Sequence, residues 1–129
     1  MVNKVLPSQI AIYRDGVGGP SYQKYVVEYE IPGVEALLKG YSQGYAPRLL
    51  YCLVDKKINT RLIEKKNNDY ANPAPGTTVD QGLIENCPES KKGSFDFYMV
   101  AHRATVATAL PVYYKVIVNT TVMKEREVE

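Results

Sequence analysis

Short apolar runs alternate with polar, glycine- or proline-bearing stretches along this chain, and their periods differ. Residues 9–13 (QIAIY) are β-branched and aromatic and run into Arg14, Asp15 and Gly16, which predicts a buried strand ending in a turn. Gly16, Gly18 and Gly19 form a loop, and Pro20 suits a first helical position. Tyr22, Tyr25, Val26 and Tyr29 then recur at helical spacing, which predicts one apolar helix face. Pro32 lacks an N–H and disfavours helix at the preceding residue, yet the period restarts with Val34, Leu37, Leu38 and Tyr41. Two consecutive helical segments, or one kinked at Ile31 and Pro32, are therefore expected, with Gly40 and Gly44 as the stop.

Residues 49–54 (LLYCLV) are continuously apolar, as in a strand covered on both faces of a parallel sheet. Strand, helix, strand is a βαβ unit, whose crossover should be right-handed. A polar stretch rich in Lys and Asn fills 55–72, and 73–76 (PAPG) leads into a short strand candidate at 77–79. Two more strand candidates are 95–100 (FDFYMV) and 113–118 (YYKVIV), and the chain closes on a charged tail at 124–129. The fold class expected is α/β, a mixed sheet with its first two strands parallel and helices packed on it.

Composition narrows the picture less than the pattern does. The 129 residues are 45% hydrophobic and 23% charged, which suits one folded domain. Eleven Tyr against two Phe and no Trp favours half-buried aromatic positions. The formal charge of only +2 means that any nucleic-acid surface must be a local cluster. The densest one is Lys56, Lys57, Arg61, Lys65 and Lys66, just past the second strand, although a Lys-rich loop is ordinarily a solvated face. No segment has the apolar length to span a bilayer, and the N-terminus lacks a signal-peptide pattern. Cys52 lies in an apolar run and Cys87 in a polar loop, with no metal-ligand spacing beside either. Free thiols in a reducing compartment, cytoplasmic or nuclear, are expected.

Five stretches, in order, carry a resemblance. They are 13–17 (YRDGV), 56–61 (KKINTR), 75–80 (PGTTVD), 95–98 (FDFY) with Ala101 and His102, and 111–114 (PVYY). Together they cover most of the chain, and it resembles the Argonaute/Piwi family, in the C-terminal part of the PIWI domain. The tyrosine-rich helix and the step at Glu30, Ile31 and Pro32 are closer to the Piwi branch. The resemblance implies a partial RNase H-like fold. It also implies that 1–129 is a piece of the domain, without its first strands and its C-terminal end.

Members that cut RNA use carboxylates to hold two Mg²⁺ ions. Asp15 matches their second catalytic Asp and would be a metal ligand. Tyr113 falls at the position taken for the catalytic His, and a neutral phenol is a poor substitute for an imidazole. The other acids lie upstream in the family. The resemblance thus implies Mg²⁺ in the complete parent protein, no stable binding by this stretch alone, and no cutting by it. Lys57, Arg61 and His102 match positions that contact guide-strand phosphates, and Arg103 adds a donor, while Val106 and Leu110 stand where members carry polar or basic residues. The partners implied are a small guide RNA and a complementary target RNA, with no membrane. Two other readings stay open: part of an active Mg-dependent endonuclease that slices guide-paired RNA, and a module whose Tyr41 and Tyr45 bind Trp-containing peptides. On spacing alone, Tyr41 is expected in the core.

Overall fold

The computed structural model describes residues 5–17, 19–81, 95–105 and 107–121. Gly18, Cys87, Val106 and the tail at 124–129 lie outside them. Five strands form one sheet in the order β1-β2-β7-β6-β5: β1 Gln9–Asp15, β2 Arg48–Asp55, β5 Thr78–Val79, β6 Phe95–Met99 and β7 Val112–Asn119. β1 and β2 are parallel, with Asp15 opposite Val54, as the apolar run and the helix between them predict. β7 is antiparallel to both β2 and β6, so the C-terminal ends of β1, β2 and β6 emerge at the same end of the sheet. The strand that Asp15 ends is expected to be buried, but among the described residues β1 is the edge of the sheet and none of its side chains is fully buried.

The helical region lies across one face. Residues 23–30 are π-helical and run directly into α1, Ile31–Tyr41, with Pro32 in its first turn. The Ile31 N–H bonds to Val26 O, five residues back. That wider turn moves the preceding carbonyls away from the Pro32 ring, so the helix changes register there instead of breaking. The change also moves the buried stripe. Val26 and Ile31 are fully buried, and Tyr22, Val27, Val34 and Leu38 pack with them on Leu49, Tyr51, Leu53, Ile117 and Val118. Tyr29, Leu37 and Tyr41, expected inside, are 79%, 75% and 71% exposed.

Pleating sorts the strands cleanly. On β1, Ile10 and Ile12 join the core under the helix, while Gln9, Ala11, Tyr13 and Asp15 point to the opposite face. That opposite face carries Leu50, Cys52 and Val116 with Phe95 and Tyr114. The β2–β7 register skips from Val118 to Val116, so Ile117 is a bulged residue, and Ile117 and Val118 both reach the helix side. Beyond the sheet, Glu64–Lys66 (β3) and Asp69–Ala71 (β4) make a hairpin inside the stretch read as polar loop. No helix of the described residues is long and apolar enough to cross a membrane.

Candidate nucleic-acid interface

Asp15 is the last residue of β1, and the chain leaves the strand at once through Gly16, whose φ of +85° favours glycine. The carboxylate is accessible, with its side chain 56% exposed. It is also partnered. Lys56, just past the end of β2, places its Nζ 2.6 Å from Asp15 Oδ2. The hydrogen bond from Lys56 holds the Asp15 carboxyl below its ordinary value, and Asp15 in turn raises the Lys56 ammonium.

Arg14, one residue earlier, points to the helix face. Its Nε and Nη2 donate to the Glu30 carboxylate at 3.0 and 3.1 Å, and its Nη1 donates to the Asp15 carbonyl at 2.6 Å. Glu30 also accepts from the Tyr51 hydroxyl at 2.7 Å. The end of β1 is therefore tied to the helix through Arg14 and to the loop after β2 through Asp15. Sequence reasoning missed Glu30, Tyr51 and the Lys56 contact. Their separations of 16, 21 and 41 residues leave no local signal, and only the β1–β2 register and the packing of the helix across it bring them together.

Tyr113 does not stand beside Asp15. Asp15 aligns with Val54 and Val54 with Tyr114, so Tyr114 shares the Asp15 face and Tyr113 takes the other. There the Tyr113 hydroxyl donates to buried Asp96 at 2.5 Å. Asp55, the acid ending β2, uses Oδ1 to accept the Lys57 N–H at 2.9 Å. Among the described residues no three His, Cys, Asp or Glu side chains gather as metal ligands. With an ammonium on Oδ2 and no second carboxylate beside it among the described residues, Asp15 does not by itself make a divalent-metal centre.

The basic residues are arranged differently. Lys57 and Arg61 lie on the loop after β2, and His102 and Arg103 on the loop after β6, all four exposed. The two loops share a small core, Leu62, Val100 and Ala109, against which Ala104 packs. Leu62 adjoins Arg61, and Ala104 adjoins Arg103. Asn72, just past the β3–β4 hairpin that continues the first loop, braces the second: its Nδ2 donates to Ala107 O at 2.8 Å, and its Oδ1 accepts the Ala109 N–H at 2.9 Å. Arg61 Nη1 donates to the Thr60 carbonyl at 3.0 Å. Among the described residues, the Lys57 ammonium and the His102 and Arg103 side chains make no hydrogen bond or ion pair. Leu110 is 51% exposed and adds no charge to this surface.

A family model for the Piwi domain matches residues 1–129. The chain belongs to the Piwi domain family. Piwi-like protein Ago3 of Bombyx mori is 37% identical over 115 residues, which cover 89% of this chain and 12% of that protein. The crystal structure of Drosophila Piwi superimposes with a TM-score of 0.75 at 30% identity, over 97% of this chain and 16% of that one. Kluyveromyces polysporus Argonaute, solved with a guide RNA, gives 0.75 at 22% identity over 96% of this chain and 16% of that one. The chain thus spans about an eighth of the length of its curated Piwi-like relative, 12%. The relatives support the Piwi branch, and the sheet and helix are those of an RNase H-like PIWI lobe.

Proposed function

We propose that this Piwi domain chain holds the phosphate backbone of a small guide RNA, within a protein that silences a complementary target RNA in the cytoplasm or nucleus. One observation carries the reading. Two loops packed on a common core present Lys57, Arg61, His102 and Arg103 to solvent, at the end of the sheet where α/β proteins place ligands. Contact with phosphates positions a strand without reading its sequence, which is the property needed when base pairing chooses the target. The chain by itself does not cut RNA, because among the described residues Asp15 has no carboxylate partners with which to share metal ions.

The test is a fluorescence titration of single-stranded RNA at several salt concentrations. Each phosphate neutralised on a single strand contributes about 0.7 to the slope of log affinity against log salt. Lys57→Ala/Arg61→Ala should therefore flatten that slope by roughly 1.4 units, with little change in sequence preference. Coincident slopes would show that this surface holds no RNA.

A second reading draws on Tyr41, which is 71% exposed where the helical period predicts core. Its ring lies 6.1 Å from that of Tyr45, tilted by 57°. An exposed aromatic pair suits a Trp side chain of a partner peptide. A labelled Trp-containing peptide should bind the wild type and lose affinity in Tyr41→Ala; equal binding by both would end this reading.

A further inference from the structure

The carboxylate that ends β1 already has a cation. Lys56 is two residues past Val54, the β2 partner of Asp15, so pleat alternation returns it to the Asp15 face. The contact of 2.6 Å is thus set by the parallel register of two core strands, even though both side chains are more than half exposed. The backbone beneath is fixed from the other side, where Arg14 Nη1 holds the Asp15 carbonyl and Glu30 holds Arg14. Neither end of this pair is left to find its partner.

A divalent ion would meet a poor site here. Mg²⁺ asks for octahedral oxygen ligands at about 2.0–2.1 Å. Among the described residues the nearby candidates are poorly placed: Asp55 Oδ1 already accepts the Lys57 N–H, and Tyr113 with Asp96 lies on the opposite face. We propose that Lys56 is the resident counter-cation of Asp15, so that the end of β1 is an ion-paired surface and not a metal centre. Asp15 then serves to hold the loop after β2 against β1, and a divalent ion that meets its carboxylate must do so against the charge of the ammonium on Oδ2. This holds whether or not RNA binds the neighbouring loops.

The experiment is a Mn²⁺ titration of the full chain, without RNA, followed by paramagnetic broadening of the amide signals of Asp15 and Gly16. In Lys56→Met the Mn²⁺ concentration needed for half-broadening should fall about tenfold, as expected when a single positive charge is removed from beside a divalent one in a high-dielectric, salt-screened setting. The gain should vanish in Lys56→Met/Asp15→Asn, and Lys56→Arg should behave as wild type. Equal broadening in wild type and Lys56→Met would overturn the proposal. A second measurement needs no variant. The Lys56 ammonium signal of the wild type should keep its hydrogen-bonded shift through millimolar Mg²⁺. Its release to the shift of a free lysine would also overturn the proposal.

Discussion

Glu30 accepts hydrogen bonds from two strands, from Arg14 on β1 and from Tyr51 on β2. The Arg14 bond, then the Tyr51 bond, holds its carboxyl below the ordinary range. Its contribution to stability is therefore complete above about pH 4.5 and is lost as pH falls through the depressed value. Tyr51 runs the other way. Burial, then the bond to Glu30, pushes its phenol up to about 12. Its contribution is complete below about pH 10 and is lost as pH rises towards 12. Tyr51→Phe should cost about 1–2 kcal/mol near neutral pH, the value of a hydrogen bond to a charged group, and should flatten the alkaline limb. Glu30→Gln should flatten the acid limb. Urea unfolding across the pH range checks both, and identical alkaline limbs in wild type and Tyr51→Phe would count against this network. At this scale the sequence revealed that Asp15 ends a strand, since an apolar run closing on Asp and Gly has a local signature, whereas its match to a catalytic Asp came only from the YRDGV resemblance. Lys56 and Tyr113 depended on register and pleat, which one strand alone does not display.

Elements were legible in proportion to the apolar contrast along them. β1, β2, β6 and β7 lie within two residues of where apolar runs place them, because β2, β6 and β7 bury side chains and β1 packs the partly buried Ile10 and Ile12 on the core. The β3–β4 hairpin was missed, since five of its six residues are exposed and it has no alternation to read. The helix was found and its face half assigned, with Tyr22, Val26, Val34 and Leu38 on the core and Tyr25, Tyr29, Leu37 and Tyr41 off it. Counting by a 3.6-residue turn selects Tyr22, Tyr25, Val26 and Tyr29, of which Val26 and Tyr22 join the core, whereas the π-helical register turns Tyr25 and Tyr29 outward and buries Ile31. The difference can be measured. Ile31→Ala, at a fully buried position, should cost about 3 kcal/mol in urea unfolding. Tyr29→Ala should stay within about 0.5 kcal/mol, as for an exposed side chain without partners to lose. Comparable losses at both positions would restore the uniform helical face.

For the whole molecule, parallel pairing of the first two strands followed from the βαβ pattern, but the placement of β7 between β2 and β6 did not. That placement matters most to the interface, because it makes the loops after β2 and β6 neighbours. A net charge of +2 gives no broad attraction for an anion, so affinity depends on holding a few cations in fixed relation. Asn72 is the clearest handle on that relation, since it bonds the second loop at both Ala107 and Ala109 without carrying charge. Asn72→Ala leaves the nearly buried Ala109 N–H without its acceptor, at a cost of about 1–3 kcal/mol that falls first on the joint between the loops. Hydrogen exchange at the Ala109 amide should accelerate, while Leu53 and Val116 in the sheet keep their protection. If the joint preorganises the phosphate surface, RNA affinity at fixed salt should fall roughly three- to tenfold, the effect of ordering a few side chains on binding. The salt slope should not move, because Lys57, Arg61 and Arg103 all remain. That separates Asn72→Ala from Lys57→Ala/Arg61→Ala, whose defect lies in the slope itself. An Asn72→Ala chain with a deprotected Ala109 amide and unchanged RNA affinity would mean that each loop meets RNA independently.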